Sequence, residues 1–333
     1  MISVICPIYN ESRYIAACID AVVNQDYPVN DMEVLFVDGM STDGTRDIVT
    51  DYRSRYPYIH LVDNPHRTVP YAMNAGILAA HGDVVIRLDA HASYPRNYFS
   101  RLHDELLRLK ADNVGGVCIT LPGADNVKAH AIAKVLSSPF GMGNSYFRIG
   151  ADQVRQVDTV PFGCFPREVF DRVGLYDTDL VRNQDDELNA RIINNGGKIY
   201  LIPDLTIEYF ARESLAKTWR MFYQYGLYKP LVAKKLGSPA TVRQFVPMIF
   251  VMTLVLGTAL GFAWWGFWAL TGLMLGLWLL GAVYFAAKSA KGFKDFMWQI
   301  VTFFTVHVAY GCGYWRGLAN LLFHLPFETR ASR

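Results

Sequence analysis

The sequence predicts an α/β domain with a largely parallel sheet, followed by helices that enter a membrane. Short apolar, β-branched runs at residues 2–9, 33–38, 59–63 and 83–89 alternate with stretches whose apolar residues recur at helical spacing, such as Ile15, Ile19, Val22 and Val23. Behind them lies a run with no charged residue, Phe245 to Ala287. A helix rises about 1.5 Å per residue and a bilayer core is roughly 30 Å thick, so this run is long enough to cross twice. The chain is therefore read as membrane-bound, with the lipid bilayer as one partner.

Strands alternating with helices imply βαβ units with right-handed crossovers, and ligands of such sheets bind beyond the carboxyl ends of the strands. The polar residues at those ends carry the functional reading. They are Pro7, Tyr9, Asn10 and Glu11 after the first strand, Asp38 after the second, Asp63 after the third, and Asp89 and His91 after the fourth. The second half of the soluble part is more mixed. VGGVCITL and VDTVPFGCF read as strands, Arg167 to Val173 and Asp185 to Asn195 as helices, and KIYLI and TIEYF as closing strands. From Glu213 to Lys235, Trp219, Phe222, Tyr223, Tyr225 and Tyr228 stand among Lys217, Arg220, Lys229, Lys234 and Lys235, which suits either a headgroup layer or a packed surface helix.

These readings divide the chain into a soluble domain at 1–212, interfacial helices at 213–243, a membrane hairpin at 244–287, and a closing segment at 288–333. The hairpin divides near Trp264-Trp265-Gly266, so Gln244 to Ala263 crosses outward and Phe267 to Ala287 returns. Lys288, Lys291 and Lys294 then share a side with Lys234, Lys235 and Arg243, as the positive-inside rule asks. Phe296 to Trp315 is long enough for a third crossing. Gln299, His307 and glycines 311 and 313 argue against one, and it would carry Arg316, Arg330 and Arg333 outward, so an in-plane or re-entrant helix is expected. Met1 leads at once into ISVICPIY, which leaves no room for a signal peptide; the soluble domain is expected to face the cytoplasm from a multi-pass anchor in the inner membrane.

Composition excludes several classes. The 333 residues carry a net charge of only +2, with no basic stretch interleaved with aromatics, so no nucleic-acid partner is expected. The 5 cysteines are scattered, odd in number and lack C-x-x-C spacing, which indicates neither a zinc site nor a disulfide framework.

Asp89-Ala90-His91 places two possible ligands on the turn leaving a strand. A carboxylate with an imidazole suits Mn²⁺ or Mg²⁺ bridging phosphate oxygens, and equally a capping Asp beside a surface His. FVDGMSTDGTRD sets Asp38 at the end of a strand, where it can accept hydrogen bonds from a base or ribose, while Asp43-Gly44 reads as a turn. No G-x-G-x-x-G opens the first helix, which leaves a nicotinamide or flavin dehydrogenase poorly supported. Gln184-Asp185-Asp186-Glu187 begins a helix, where acids suit the macrodipole; one of them can instead serve as a general base, and spacing does not choose between these roles.

PIYNE, FVDGMSTDGT, the NPHRTVPYAMNAGILAAHGDVVIRLDAHA block and QDDELNARI, in this order over about residues 1–230, resemble glycosyltransferase family 2, the inverting nucleotide-sugar transferases of GT-A fold. Asp-Ala-His together with FGMGNSYFR looks closest to the exopolysaccharide, succinoglycan-glucosyltransferase-like branch, whose acceptor is a lipid-linked sugar. The resemblance implies that Pro7, Tyr9, Glu11 and Asp38 hold uridine, that Arg67 lies near the nucleotide or its phosphates, and that Asp89 and His91 hold the metal and diphosphate. It makes Asp185 the base, with Asp186 as the alternative because Gln184 stands where the family has Glu. Processive synthases carry Gln-x-x-Arg-Trp; Thr218-Trp219-Arg220-Met221 departs from it, which points to single addition. The expected partners are a UDP-sugar and a polyprenyl-linked acceptor. Two other readings stand beside this one: a polyprenyl-phosphate glycosyl synthase, whose acceptor phosphate needs no base, and a non-catalytic membrane sensor of nucleotide sugars.

Overall fold

The computed structural model describes residues 1–327. Nine strands form one sheet: β1 (Ile2–Ile8), β2 (Met32–Asp38), β3 (Ile59–Asp63), β4 (Val84–Arg87), β5 (Ala92–Ser93), β6 (Asn113–Leu121), β7 (Arg155–Gln156), β8 (Cys164–Pro166) and β9 (Ile199–Phe210). The helices are α1 (Ile15–Val23), α2 (Thr45–Arg55), α3 (Val69–Ala79), α4 (Tyr98–Leu109), α5 (Val127–Leu136), α6 (Pro139–Met142), α7 (Tyr146–Ile149), α8 (Glu168–Val173), α9 (Gln184–Asn194), α10 (Leu215–Leu236), α11 (Phe245–Leu260), α12 (Gly266–Ser289) and α13 (Phe293–Leu322). They fall into two compact units, one of residues 1–119 and 150–209, the other of 120–149 with 210 onward.

In the first unit the strand order is β3-β2-β1-β4-β8-β6-β9-β5, with β7 against β9. The β3-β2-β1-β4 half is parallel, and β8 runs antiparallel to β4. Strands β1, β2 and β4 are almost wholly buried, as their unbroken apolar runs require of a sheet covered on both faces. The expected α/β, GT-A-type class is what the chain adopts. In detail, KIYLI and TIEYF are one continuous strand, because Pro203 sits in β9 without ending it. VDTVPFGCF contributes only the short β8.

The second unit is helical. Its core joins Ile132, Val135 and Leu136 of α5 to Met221 and Phe222 of α10, Ala282 and Ala286 of α12, and Phe303 and Val306 of α13. Among the described residues two helices are long and apolar enough to cross a membrane, Val242–Leu260 and Gly266–Ser289. Only 22% and 17% of their apolar windows are buried, so they turn most of that surface outward, unlike the core helix of a soluble protein.

The segment expected to be in-plane or re-entrant is one unbroken 30-residue helix, α13, which does not turn back on itself. It packs against α10, α5, α11 and α12. Its polar residues are internal: Asp295 pairs with Lys134, Gln299 is hydrogen-bonded to Ser289 at 2.7 Å, and Trp278 Nε1 donates to His307 Nδ1 at 3.0 Å while His307 Nε2 meets the Phe140 carbonyl at 2.9 Å. Its glycines are contact points. A Cβ on Gly313 would strike the Tyr223 carbonyl and one on Gly317 the Leu227 carbonyl, while Gly226 of α10 would strike the Tyr310 carbonyl. Small residues let helix backbones approach closely. Features that argue against a span in the sequence are thus packing features of a bundle. Arg316 lies on this helix; Arg330 and Arg333 lie outside the described residues.

Candidate active site

The loops leaving β1, β2 and β3 are held in conformations that side chains resist. Asn10, Met40 and Arg67 have φ of 55°, 63° and 61°, in the left-handed region that costs about 1 kcal/mol or more for residues other than Gly or Asn. Hydrogen bonds lace the first two loops together. Asn10 N–H donates to Ser41 Oγ at 2.7 Å, Thr42 N–H to Asn10 Oδ1 at 2.9 Å, and Glu11 N–H to Thr45 Oγ1 at 2.7 Å. Burial pushes the Asp43 carboxyl up, but bonds from Thr45 and Ser12 outweigh it and hold it well below the usual range. The turn role read for Asp43 is what it performs.

Asp38 is fully buried at the end of β2. Its Oδ1 accepts from Ser41 Oγ at 2.5 Å, and its Oδ2 accepts from Ser41 N at 2.9 Å and Arg46 at 2.7 Å. Arg46 also reaches Asp63 at 2.8 Å, so one guanidinium joins the ends of β2 and β3. A carboxylate offers about four lone-pair sites, and three are used, which leaves one for a ligand donor. Beside it the Tyr9 ring lies over Gly39, where a Cβ would come within 3.1 Å of Tyr9, and the Arg67 guanidinium stands 5.8 Å from the Tyr9 ring centre. Pro7 sits inside β1 opposite Val37. An aromatic face and a cation therefore stand beside a buried acid.

Past β4, Asp89 Oδ1 accepts from the His91 N–H at 3.0 Å, and its own N–H donates to Tyr94 Oη at 2.7 Å. His91 Nε2 lies 2.9 Å from Glu11 Oε2, and its ring stands edge-on to Tyr14 at 4.6 Å. Glu11, His91 and Asp89 thus form one polar string. Among the described residues no three His, Cys, Asp or Glu side chains converge to hold a metal by themselves. The string is an oxygen and imidazole set that fits a divalent ion sharing a ligand's phosphate oxygens, and His91 would have to turn from Glu11 to join it.

Helix α9 starts at Gln184 behind Asn183, whose φ is 60°. Its Asp185 forms an ion pair with Arg87, the last residue of β4. Burial pushes the Asp185 carboxyl up, Arg87 pulls it back, and the neighbouring Asp186 and the more distant Asp89 add to the rise. Asp89 and Asp185, far apart in sequence, are therefore close enough to feel each other. Arg87 is buried, and its Nε has no hydrogen-bond partner. The Asp185 pair raises its affinity for its proton despite desolvation. The sequence reading passed over Arg87, Arg46 and Tyr176, whose phenol is raised by burial and by Asp185 while Arg87 opposes. The signal for Arg87 was present, since a charge closing the apolar run VVIR needs a partner when buried.

Comparison with known proteins accords with this geometry. Residues 3–174 match the family model described as glycosyl transferase family 2. A dolichyl N-acetyl-α-D-glucosaminyl phosphate 3-β-D-2,3-diacetamido-2,3-dideoxy-β-D-glucuronosyltransferase of Methanococcus voltae is 32% identical over 70% of this chain and 74% of its own. The succinoglycan biosynthesis protein ExoA of Rhizobium meliloti is 29% identical over 95% of this chain and 94% of its own. Among solved structures, a mannosyltransferase of Pyrobaculum calidifontis, in complex with GDP-Man and Mn²⁺, shares the fold with a TM-score of 0.60 at 22% identity, over 93% of this chain and 86% of that one. With the acids gathered at the strand ends and more than half its length matched, the chain belongs to glycosyl transferase family 2 and is a glycosyltransferase of the exopolysaccharide type.

Proposed function

We propose that the chain moves one hexose, glucose or a relative, from a UDP-sugar to a polyprenyl-diphosphate-linked sugar, with inversion, in exopolysaccharide or cell-surface glycan assembly. The observation that carries this reading is the ion pair that Arg87, which ends β4 two residues before Asp89, makes with Asp185 of α9. Tyr9, Pro7, Glu11 and Asp38 hold the uridine, and Arg67 faces its phosphates. Asp89 and His91 hold Mn²⁺ or Mg²⁺, which when bound stabilises the charge developing on the diphosphate. Asp185 takes the proton of the acceptor hydroxyl as that oxygen attacks the anomeric carbon, a single in-line displacement. Asp186, one residue on, points around the helix by about 100° and is the alternative base only if α9 turns.

The lipid-linked acceptor is supported by the relatives, one named for transfer to a dolichyl-phosphate sugar and one for succinoglycan biosynthesis. α11 and α12 fit a hairpin in the inner membrane with Trp264 and Trp265 at its outer turn and the catalytic unit in the cytoplasm, an arrangement that brings the enzyme to a carrier lipid. The test is a screen of radiolabelled nucleotide sugars against a membrane lipid extract with Mn²⁺ and with EDTA. Transfer of one label to an extractable lipid, lost in EDTA, is expected; label on a bare lipid phosphate with Asp185→Asn still active would instead mark a polyprenyl-phosphate synthase.

A further inference from the structure

Asn74 lies in the middle of α3, in the Asn-Ala-Gly of the block that carries the family likeness, and no role above uses it. Its side chain makes a two-way clasp on a distant loop. Tyr176 N–H donates to Asn74 Oδ1 at 2.9 Å, and Asn74 Nδ2 donates to the Tyr176 carbonyl at 2.8 Å, across 102 residues of sequence. A side-chain amide here replaces one rung of a sheet, satisfying both backbone groups of a single residue. Gly76 makes the reach possible, because α3 sits so close on β1 that a Cβ there would lie 2.5 Å from Ile5 Cγ2.

The clasped loop leads from α8 into α9. Gly174 takes φ 84° at its start, and Arg191 of α9 donates to the Leu175 carbonyl at 2.7 Å. Leu180 is fully buried. Tyr176 is buried too, with its phenol beside Arg87 and Asp185. From behind, α9 is held by a chain of buried amides: Asn189 Nδ2 donates to Thr159 Oγ1 at 2.8 Å and Asn113 Nδ2 to Asn189 Oδ1 at 2.8 Å. Asn189 is one turn after Asp185 on the same face. The helix is thus fixed at its back, and the loop at its front is held at the Tyr176 backbone by Asn74, a side chain from another element.

We propose that Asn74 is a positioning residue for the base: by clasping the Tyr176 backbone it sets Tyr176 and Arg87 around Asp185 and so fixes where that carboxylate stands. The inference rests on the reading of Asp185 as the base. Both polar ends of the Asn74 side chain are spent on the Tyr176 backbone, so its loss is expected to act on the chemical step and not on donor binding. A displacement of about 1 Å at a reacting group costs roughly 100-fold in rate.

The experiment is a cycle of Asn74→Ala, Asp185→Asn and the double variant in the full-length, detergent-solubilised enzyme. kcat, donor KM and the affinity for UDP are measured for each. Asn74→Ala is expected to lower kcat roughly 10- to 100-fold with donor KM and UDP affinity within about twofold. The double variant is expected to match Asp185→Asn alone, since a positioning residue has nothing left to position. Asn74→Asp, which keeps the acceptor for Tyr176 N–H, should recover part of the rate. Multiplying effects in the double variant, or UDP affinity falling with kcat, would overturn the inference; an undiminished kcat in Asp185→Asn alone would instead overturn the base assignment, so the two failures are told apart.

Discussion

Arg87 and Asp185 stand 98 residues apart in sequence and form an ion pair in which the cation is buried and the carboxylate keeps a third of its surface open. The pair joins the strand end that precedes Asp89 to the helix that carries the proposed base. The guanidinium offsets the repulsion that the Asp185 carboxylate feels from neighbouring acids.

Removing that cation has a signed effect on pH dependence. Burial raises Asp185 and Arg87 opposes the rise. A base works only when ionised, so kcat climbs with pH through the raised value, and its acid limb lies above that of an exposed carboxylate. Arg87→Met should move the limb to higher pH, with Arg87→Lys moving it less. It should also destabilise the fold by about 1–3 kcal/mol, below the full range for a broken buried pair because Asp185 meets solvent. A kcat profile with an unmoved limb in Arg87→Met counts against the assignment.

Asp89→Ala should abolish transfer, and His91→Asp should retain it with a preference shifted toward Mg²⁺, since oxygen ligands suit the harder ion. Turnover is measured with each metal and in EDTA. Full activity of Asp89→Ala in EDTA would remove the metal from the scheme.

Asp185→Asn should leave UDP-sugar binding near normal and lower kcat by roughly 100-fold or more, with Asp186→Asn far milder. Single-turnover rates at saturating donor decide it. Swapped effects would assign the base to Asp186.

The close crossing of α13 on α10 predicts that Gly313→Leu costs about 1–3 kcal/mol by overpacking against the Tyr223 carbonyl. Gly272→Leu, where a side chain meets open space, is the control. Thermal unfolding in detergent measures both, and equal midpoints would mean that the helices do not pack this closely.

For topology, a variant lacking native cysteines is labelled in intact cells with a membrane-impermeant thiol reagent. Trp265→Cys should react and Lys291→Cys should not, because the proposed orientation puts the hairpin turn outside and the α12–α13 turn inside. Reaction at residue 291 would reverse the orientation.

The parallel half of the sheet was legible because its strands are continuous apolar runs with a polar residue at each end, and period and punctuation survive without tertiary context. Asp38, Asp89 and Asp185 stand out in the sequence by position or likeness. Their neighbours were harder. Asn74 and Arg46 look like ordinary helix-surface residues until the 174–183 loop and the end of β3 are brought to them, and that proximity is a product of topology. α13 is hard to read from hydropathy for the converse reason. Hydropathy counts Gln299, His307 and glycine as costs, although each is satisfied or exploited by a neighbouring helix.

Helix α5 lies, with the short α6 and α7, in the unit whose long helices begin after residue 210. A ribosome adds roughly 5 to 20 residues per second, so the face made of Ile132, Val135 and Leu136 emerges about 10 to 35 seconds before the Phe303 and Val306 that cover it. During that interval a sticky helix hangs from an unfinished sheet, and whatever shelters nascent apolar segments near the membrane must hold it until α13 arrives. A truncated form ending at residue 212 never ends that wait: it should aggregate, while one that also lacks residues 120–149 should stay in solution.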